Sequence, residues 1–305
     1  MLKKISALWH RLFLCERSSV SLGFFRIAVA VTVGTHVIPT LLPMTDNYLA
    51  TAFKEKNAIF FPLWILDAIE KSPDGMVWLM AALFYIFWFF FLIGFRSQIS
   101  CILMTLTGYY FYALNSLHIG TLSWDILLVT LFLMCLTGYH GDHFSLDAWL
   151  RARRGTQAPN RPFFIQRLLQ CQLAWTYFYT ALCKLTPGNW LTDNPYYYLM
   201  NNPEGGVIRN FWFRDYLAAH AGLCYAIGLG VIAAELLVSV LLFLPRLRYA
   251  AIAYGLLFHL LLLLTMHVPT IFFFLFPPQF LLFVPPEKWA ARREPGQGSP
   301  GFADT

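Results

Sequence analysis

The sequence predicts an all-helical integral membrane protein, and three observations support this fold class. The chain of 305 residues is 58% hydrophobic and 18% aromatic but only 12% charged, whereas soluble domains are about a quarter charged. Its mean hydropathy is +0.56. Several apolar runs reach the roughly 20 residues that a helix needs to cross a bilayer. We therefore expect a polytopic bundle of transmembrane helices.

Eight apolar runs make up the expected bundle. In chain order they are 19–42, 76–95, 98–114, 122–138, 168–185, 219–244, 249–266 and 270–284. The fourth, seventh and eighth are short, which leaves tilted or re-entrant geometry open for them. We divide the chain into a basic N-terminus (1–18), a transmembrane domain (19–285) and a polar tail (286–305) that we expect to be disordered. No small-residue cleavage site follows the first run, so we interpret it as a retained helix.

Lysine and arginine are distributed unevenly between the two sides of this arrangement. If the N-terminus is cytoplasmic, 15 of the 22 basic residues lie in cytoplasmic segments, five lie in outer segments, and Arg26 and Lys184 lie within spans. The bias follows the positive-inside rule and predicts that both termini are cytoplasmic. The net charge of +6 is then a consequence of topology. The lipid bilayer is the expected partner, and nucleic acid is not.

Two outer segments are long enough to have structure of their own. The segment 43–75 contains a stretch, 57–70, that is apolar on one side and rich in aromatic residues, and this stretch could lie in the membrane interface as a short helix. The segment 186–218 carries six Trp and Tyr residues, which either form an interfacial aromatic belt or line the mouth of a pocket. The six cysteines are scattered singly, a pattern that indicates neither a disulfide framework nor a metal site.

The fifth run carries a polar stripe that ends in a lysine. Its members fall at spacings of four, seven, three and four residues, which places them on one helix face: Gln166, Gln170, Tyr177, Thr180 and Lys184. Glutamine and threonine in such a stripe are typical of hydrogen bonds between helices. Lys184 lies near the outer boundary, where it either reaches water by snorkelling or, if it is desolvated, becomes available as a base.

The sixth and seventh runs each carry one titratable residue close to their middle. Glu235 cannot reach water from mid-membrane, so it must be protonated or paired, with Arg26, Lys184 and His259 as candidate partners. A buried ion pair that holds helices in register and a proton-transfer role are both open for it. His259 is either a hydrogen-bonded packing residue or part of a site.

Further titratable residues lie near the ends of the spans. We expect Arg26 to snorkel to the inner surface or to pair, without a catalytic role. The remaining ones approach the same outer face as Lys184, and His267 is the weakest of these candidates: His36, His118, Asp125 and His267. This clustering favours a site that opens outward or into the outer leaflet.

Two stretches give the chain a family resemblance. The first is the run from Phe144 to Arg154, and the second is a Tyr-Phe-x(5)-Lys-Leu-x(4)-Trp motif formed by Tyr177, Phe178, Lys184, Leu185 and Trp190. Together with Glu235 and Phe258-His259, these stretches resemble the membrane region of vitamin K-dependent gamma-carboxylase. More broadly, they resemble the horizontally transferred transmembrane (HTTM) domain family, over most of residues 15–285.

The resemblance implies an activity and a set of site residues. In that family the lysine that matches Lys184 deprotonates vitamin K hydroquinone; reaction with oxygen then yields a strong base that removes a γ-proton from a peptide glutamate, to which carbon dioxide adds. By this resemblance Lys184 is the base and His259 assists it. We add Glu235 as a third catalytic candidate, and we take four residues as candidates for substrate binding: Tyr177, Thr180, Asp125 and Trp190. A reduced, vitamin K-like quinone is the implied cofactor, without a metal.

Two departures from the family pattern leave the function open. Cys183 stands where the eukaryotic enzyme has a second lysine, and the large lumenal domain of that enzyme has no counterpart in this sequence. We therefore weigh three functions for an inner-membrane, multi-pass protein. It is a lysine-base enzyme acting on a lipid quinol or a peptide glutamate, a maturation or export partner for a secreted peptide of the sporulation-delaying-toxin type, or a small-solute transporter. The lack of an internal repeat counts against the transporter.

Overall fold

The computed structural model describes residues 6–7, 9–39, 64, 68, 71–114, 122–186, 190–202, 207–267 and 271–290. The described chain is mostly helical. It has one short antiparallel strand pair, β1 (Glu16–Arg17) with β2 (Arg161–Pro162), and an isolated antiparallel bridge between Ile208 and Met266. The all-helical fold class is confirmed. The predictions for His118 and for most of the segment 43–75 lie outside the described residues.

The helices follow the order of the apolar runs. A π-helical turn at His10–Leu14 comes before them, and α1 (Val20–Thr32) continues as π-helix over Val33–Val37. Then come α2 (Asp74–Ile93), α3 (Ser97–Leu114), α4 (Leu122–Cys135), α5 (Leu146–Arg153) and α6 (Phe164–Leu185). Two short helices, α7 (Pro195–Asn201) and α8 (Arg214–Ala218), lead to α9 (Ala221–Leu241) and α10 (Arg248–Thr265). The described chain ends with α11 (Ile271–Phe274), α12 (Phe276–Gln279), a 3-10 turn at Phe280–Phe283 and α13 (Pro286–Ala290).

Four of these helices are long and apolar enough to cross a membrane: Val20–Val37, Gly75–Ile93, Ala221–Leu241 and Arg248–Thr265. Asp125–Cys135 is apolar but shorter. The eighth apolar run, 270–284, is broken into α11, α12 and a 3-10 turn, because Pro277 and Pro278 cannot continue an upstream helix without loss of hydrogen bonds. The number of spans, eight, therefore stays a prediction.

The long helices pack side by side in a closed circuit. In the described chain α1 contacts α2, α2 contacts α3, α3 contacts α4, α4 contacts α6, α6 contacts α9 and α9 contacts α10. The circuit closes because α11 contacts both α10 and α1. The neighbouring segment α12 and the 3-10 turn pack against α1 and α6, so the broken C-terminal segment fills the interior of the bundle.

Close packing of this interior segment depends on a glycine in α10. Phe276 and Phe280 are buried, with 3% and 1% of their surface exposed. A Cβ atom at Gly255 would lie 2.2 Å from the Phe280 ring, so only glycine lets the ring approach the α10 backbone. Gly255 lies one turn before His259, and the ring that it admits lies on the face that carries this histidine.

Of the two roles expected for Arg26, snorkelling to the inner surface and pairing, the structure excludes the first, because the side chain lies inside the bundle and holds the end of α2. Its side chain is fully buried, and its guanidinium donates to the carbonyl oxygens of Phe91, Leu92 and Phe144. The last carbonyl groups of a helix have no partner within the helix, so a buried arginine can satisfy them. Gly94 has φ of +69° and no room for a Cβ beside Arg26, which fits the glycine that commonly ends a helix.

Two aspartates organise the loop that joins α4 to α6. Asp142 accepts hydrogen bonds from Arg151 at 2.9 Å and from Arg161 at 2.8 Å, and this hydrogen bonding raises the pKa of Arg161. Asp147 accepts from the backbone N–H groups of Arg96 and Ser97 at the start of α3. We call this region, where most described arginines lie, the basic end of the bundle.

A buried histidine lies beneath the same loop. His140 is 1% exposed, and its ring packs edge-on against Phe91 with 5.6 Å between centroids. Burial lowers the pKa of His140 to about 3, and the positive charge of Arg26 acts in the same direction. His140 is therefore neutral in the folded protein at neutral pH.

Candidate functional site

The polar stripe of α6 divides into a structural half and a half that faces a cavity. Near the basic end, Gln166 and Gln170 both donate to the carbonyl oxygen of Leu282, the latter at 2.6 Å. These amides satisfy the backbone of the broken C-terminal segment, which lacks the continuous hydrogen bonding of a helix. The preferred interpretation of the glutamines as interhelical hydrogen-bond residues agrees with these contacts.

At the other end of α6, Lys184 forms an ion pair with Glu235 of α9. Lys184 Nζ lies 2.7 Å from Oε1 and 2.7 Å from Oε2 of the carboxylate. The side chain of Glu235 is 8% exposed and that of Lys184 is 19% exposed. Of the three partners considered for Glu235, the structure therefore selects Lys184. Among apolar helices a buried charge is costly unless an opposite charge lies beside it, and each member of this pair provides that partner for the other.

An aromatic side chain lies beside the ammonium group. The Trp190 ring centroid is 5.5 Å from Lys184 Nζ, within the range of a cation–π contact. The same ring packs on Gly228, where a Cβ would come within 3.3 Å. Gly228 lies two helical turns before Glu235 on α9, so one face of α9 supports the tryptophan and carries the acid.

A second polar pair lies about 10 Å from Lys184 along α6, because Tyr177 precedes Lys184 by two helical turns. Tyr177 Oη and His259 Nε2 of α10 share a hydrogen bond of 2.7 Å. His259 is 3% exposed, and its ring stacks on Phe276 with 5.2 Å between centroids. Among the described residues its Nδ1 atom is buried without a hydrogen-bond partner. A buried polar atom in this state is available to a ligand or to water.

Both pairs border one cavity of about 320 Å³, a size typical of small-molecule sites. The sequence-predicted residues on its wall are Tyr177, Thr180, Lys184, Trp190, Glu235 and His259. The rest of the wall is mostly apolar or aromatic: Thr176, Tyr196, Leu199, Val231, Phe258, Leu262, Met266 and Phe276. The cavity thus combines an ion pair and a tyrosine–histidine pair with apolar surroundings.

Asp125 lies elsewhere, although the sequence placed it with these residues. It belongs to the first turn of α4, where its carboxylate accepts a hydrogen bond from the hydroxyl of Tyr112 on α3. It is not among the residues that line the cavity. Two of the other outer candidates, His36 and His267, also lie outside this wall. Nearness to the outer face does not specify which helices are neighbours.

Several wall residues were not predicted from the sequence. Leu262 on α10 and Met266, the residue just after it, follow His259 by three and seven residues, so a helical repeat taken from the histidine would have identified them. Phe276 could not be found this way, because the run 270–284 was interpreted as a continuous span. Tyr196 belongs to α7, in the aromatic segment for which a belt and a pocket mouth were both open.

The fold and the site define a helical membrane protein with a buried acid–base pair in an apolar cavity. The model of the HTTM domain matches residues 16–289. The chain therefore belongs to the HTTM domain family, as the two sequence stretches predicted. No curated protein and no solved structure matches the chain.

Proposed function

We propose that the protein is a multi-pass inner-membrane enzyme that uses Lys184 as a base on a lipid-soluble quinol at the outer end of the bundle. The observation that carries the proposal is the bidentate ion pair between Lys184 and Glu235, 2.7 Å from nitrogen to each oxygen, on the wall of an apolar cavity. The gamma-carboxylase-like part of the proposal comes from the family resemblance, in which this lysine is the base.

Glu235 gives Lys184 a route to the neutral form that a base needs. Transfer of one proton from Lys184 Nζ to a carboxylate oxygen of Glu235 along the 2.7 Å hydrogen bond leaves a free amine and a carboxylic acid. Burial in an apolar environment costs charged groups their hydration. It therefore makes the neutral pair of amine and carboxylic acid closer in free energy to the ion pair than it would be in water. The amine can then accept a proton from a hydroxyl group of the substrate, and Glu235 retains the first proton.

A reduced quinone fits the residues that are present. The cavity is mostly apolar, and Trp190 and Tyr196 provide aromatic surfaces on its wall. Lys184 and Glu235 supply hydrogen-bonding groups at one position, and the unpartnered Nδ1 of His259 supplies another. When bound, a reduced quinone would supply the group whose reaction with oxygen gives a strong base. The chain's own part is to bind the ring system, exclude water and move the proton at Lys184 Nζ.

The proposed topology has eight spans with both termini in the cytoplasm. The excess of arginine at the basic end supports this orientation, because the short loops on the cytoplasmic side carry most Lys and Arg. Lys184 and Trp190 then lie near the outer surface. A peptide glutamate from a secreted substrate could reach the cavity from that side.

The test is quinol consumption by the purified protein in nanodiscs. We expect the wild-type protein, supplied with a reduced naphthoquinone, oxygen and labelled bicarbonate, to consume the quinol and to label a glutamate-containing peptide. Lys184→Ala should abolish quinol consumption. Lys184→Arg should not restore it, since a guanidinium group is not deprotonated in proteins.

Lys71→Ala is the matched control, because Lys71 is an exposed lysine and does not line the cavity. It should retain full activity. Equal quinol consumption by Lys184→Ala and wild type would contradict the base role of Lys184, and no consumption by wild type would leave the maturation or export function. Quinol consumption without labelled peptide would retain the base and reject the carboxylation step.

A further inference from the structure

A second cavity lies at the basic end, remote from Lys184. It has a volume of about 230 Å³. Its walls come from the start of α3, from the loop that precedes α5 and from α5 itself: Arg96, Ser97, Gln98, Ile99, Gly138, Gly141, Asp147 and Arg151. Arg96 lies three residues beyond the end of the membrane-spanning helix Gly75–Ile93. The cavity therefore lies where that helix leaves the hydrocarbon, at the level of lipid headgroups.

The cavity offers cationic groups to an anion. The side chain of Arg96 is exposed and forms no ion pair with any residue that the structure describes. Arg151 uses two of its nitrogens on Asp142 and on the Gly141 carbonyl, and guanidinium groups have five N–H donors in all. Two guanidinium groups on one wall match the oxygen atoms of a phosphate.

The carboxylate on the wall is already engaged. Asp147 accepts the backbone N–H groups of Arg96 and Ser97 at 2.9 and 2.8 Å and the Ser97 hydroxyl at 2.9 Å. Those three hydrogen bonds satisfy both of its oxygens and hold the first turn of α3. Arg153 and Arg154 at the end of α5 add further positive charge to this region, so the local field favours an anion.

Two exposed apolar side chains lie at or beside the cavity, and they distinguish a lipid from a free ion. Ile99 lines the cavity and is 52% exposed, and Leu136, two residues before the lining Gly138, is 58% exposed. A phosphate ion has no apolar part that could contact these side chains. A phospholipid places its phosphate among the cationic groups and its acyl chain along the apolar side chains.

We infer that this cavity binds the phosphate group of an anionic phospholipid from the leaflet at the basic end. Arg96 and Arg151 contact the phosphate, and Ile99 and Leu136 contact the first part of an acyl chain. The lipid would bridge the start of α3 and helix α5. The inference does not depend on the chemistry at Lys184, because the two cavities share no residue.

The test measures lipid retention by native mass spectrometry. The protein is released from nanodiscs that contain phosphatidylcholine with or without phosphatidylglycerol. We expect wild type to retain phosphatidylglycerol selectively, and Arg96→Gln to retain about fivefold less, the effect typical of one basic residue at an anionic membrane surface. Arg154→Gln is the matched control, because Arg154 is exposed at the same end and does not line the cavity.

Two further arms separate a lipid from a free anion. Ile99→Ser should weaken retention of phosphatidylglycerol, since it removes the apolar contact without a change in charge. Inorganic phosphate, titrated against the lipid-bound protein, should not displace phosphatidylglycerol. The inference is overturned if Arg96→Gln retains as much phosphatidylglycerol as wild type, or if inorganic phosphate displaces the lipid and Ile99→Ser has no effect. Unchanged thermal unfolding of Arg96→Gln in phosphatidylcholine confirms that the variant is folded.

Discussion

At the scale of single residues, the ion pair of Lys184 with Glu235 links the stability of the bundle to the proposed chemistry. Each charge is tolerated among apolar helices because the other is 2.7 Å away. Removal of one partner leaves the other without compensation, whereas removal of both leaves an apolar contact. Stability and activity should therefore respond differently to single and double substitutions, which gives a way to separate a structural from a catalytic role.

A double-mutant cycle tests this distinction. We expect Glu235→Leu to lower the free energy of unfolding in detergent by about 1–3 kcal/mol, because the ammonium group loses its partner. The double variant Lys184→Met with Glu235→Leu should recover most of that loss, with a coupling free energy of about 0.5–3 kcal/mol. It should nevertheless be inactive in quinol consumption. An active double variant would assign the pair to packing alone.

His140 gives the protein an acid-sensitive step in its stability. The folded protein holds this histidine neutral, with a pKa lowered to about 3 by burial, whereas an unfolded histidine titrates near about 6.5. The unfolded state thus binds a proton between these values and the folded state does not. The contribution of His140 is complete above pH of about 6.5 and is lost as the pH falls from there.

His140→Phe should remove this dependence. At pH 5 the unfolded state of wild type gains about 2 kcal/mol from protonation of the histidine, a gain that the variant lacks. We expect the unfolding temperature of wild type to fall more steeply between pH 7.5 and 5 than that of His140→Phe. Phenylalanine fits the edge-on contact with Phe91, so the variant should remain folded. Parallel curves for the two proteins would contradict the assignment.

At the scale of elements, the packing of α10 against the broken C-terminal segment can be tested with two glycines. A Cβ at Gly255 would lie 2.2 Å from the Phe280 ring, whereas a Cβ at Gly230 of α9 meets nothing within 4 Å. Gly255→Ala should therefore destabilise the protein by about 1–3 kcal/mol through overpacking. Gly230→Ala should be neutral or stabilise it by up to about 1 kcal/mol through helix propensity.

The same pair of variants reports on the site. Gly255 lies one turn from His259, and displacement of Phe280 would disturb the aromatic rings around that histidine. We expect Gly255→Ala to weaken binding of a reduced naphthoquinone, measured as quenching of the intrinsic tryptophan fluorescence, and Gly230→Ala to leave it unchanged. Equal thermal stability of the two variants would show that the interior segment can move aside.

The elements also show how far the sequence could specify the site. The sequence predicts three site residues because titratable side chains are rare in apolar runs and usually have a structural or functional role there: Lys184, Glu235 and His259. The polar stripe on α6 follows from helical spacing alone. Asp125 was grouped with them only by its depth in the membrane, which contains no information on lateral neighbours. The interior position of Phe276 depends on a break at Pro277 and Pro278 and on the space beside Gly255, and both are properties of the folded chain.

At the scale of the whole molecule, the two cavities lie at opposite ends of the bundle. The ion pair and Trp190 occupy one end, and Arg96, Arg151 and Asp142 occupy the other. This difference between the two ends agrees with the uneven distribution of Lys and Arg in the sequence. It assigns the proposed chemistry at Lys184 to the side of the membrane opposite the basic end. For Arg26 the sequence left snorkelling and pairing open, and its burial at 0% exposure excludes snorkelling. That burial follows from its carbonyl partners and not from its position along α1.

Orientation in the membrane follows from this difference between the two ends and can be measured directly. Trp212 is 94% exposed at the end that carries Lys184, and Thr156 is exposed in the loop at the basic end. In intact bacteria that express the protein, a membrane-impermeant maleimide should label Trp212→Cys and should not label Thr156→Cys, each compared with the parent chain. After the cells are opened, both should react. Labelling of Thr156→Cys in intact cells would reverse the orientation and would place the proposed quinol chemistry on the cytoplasmic side, where a secreted peptide could not be the second substrate.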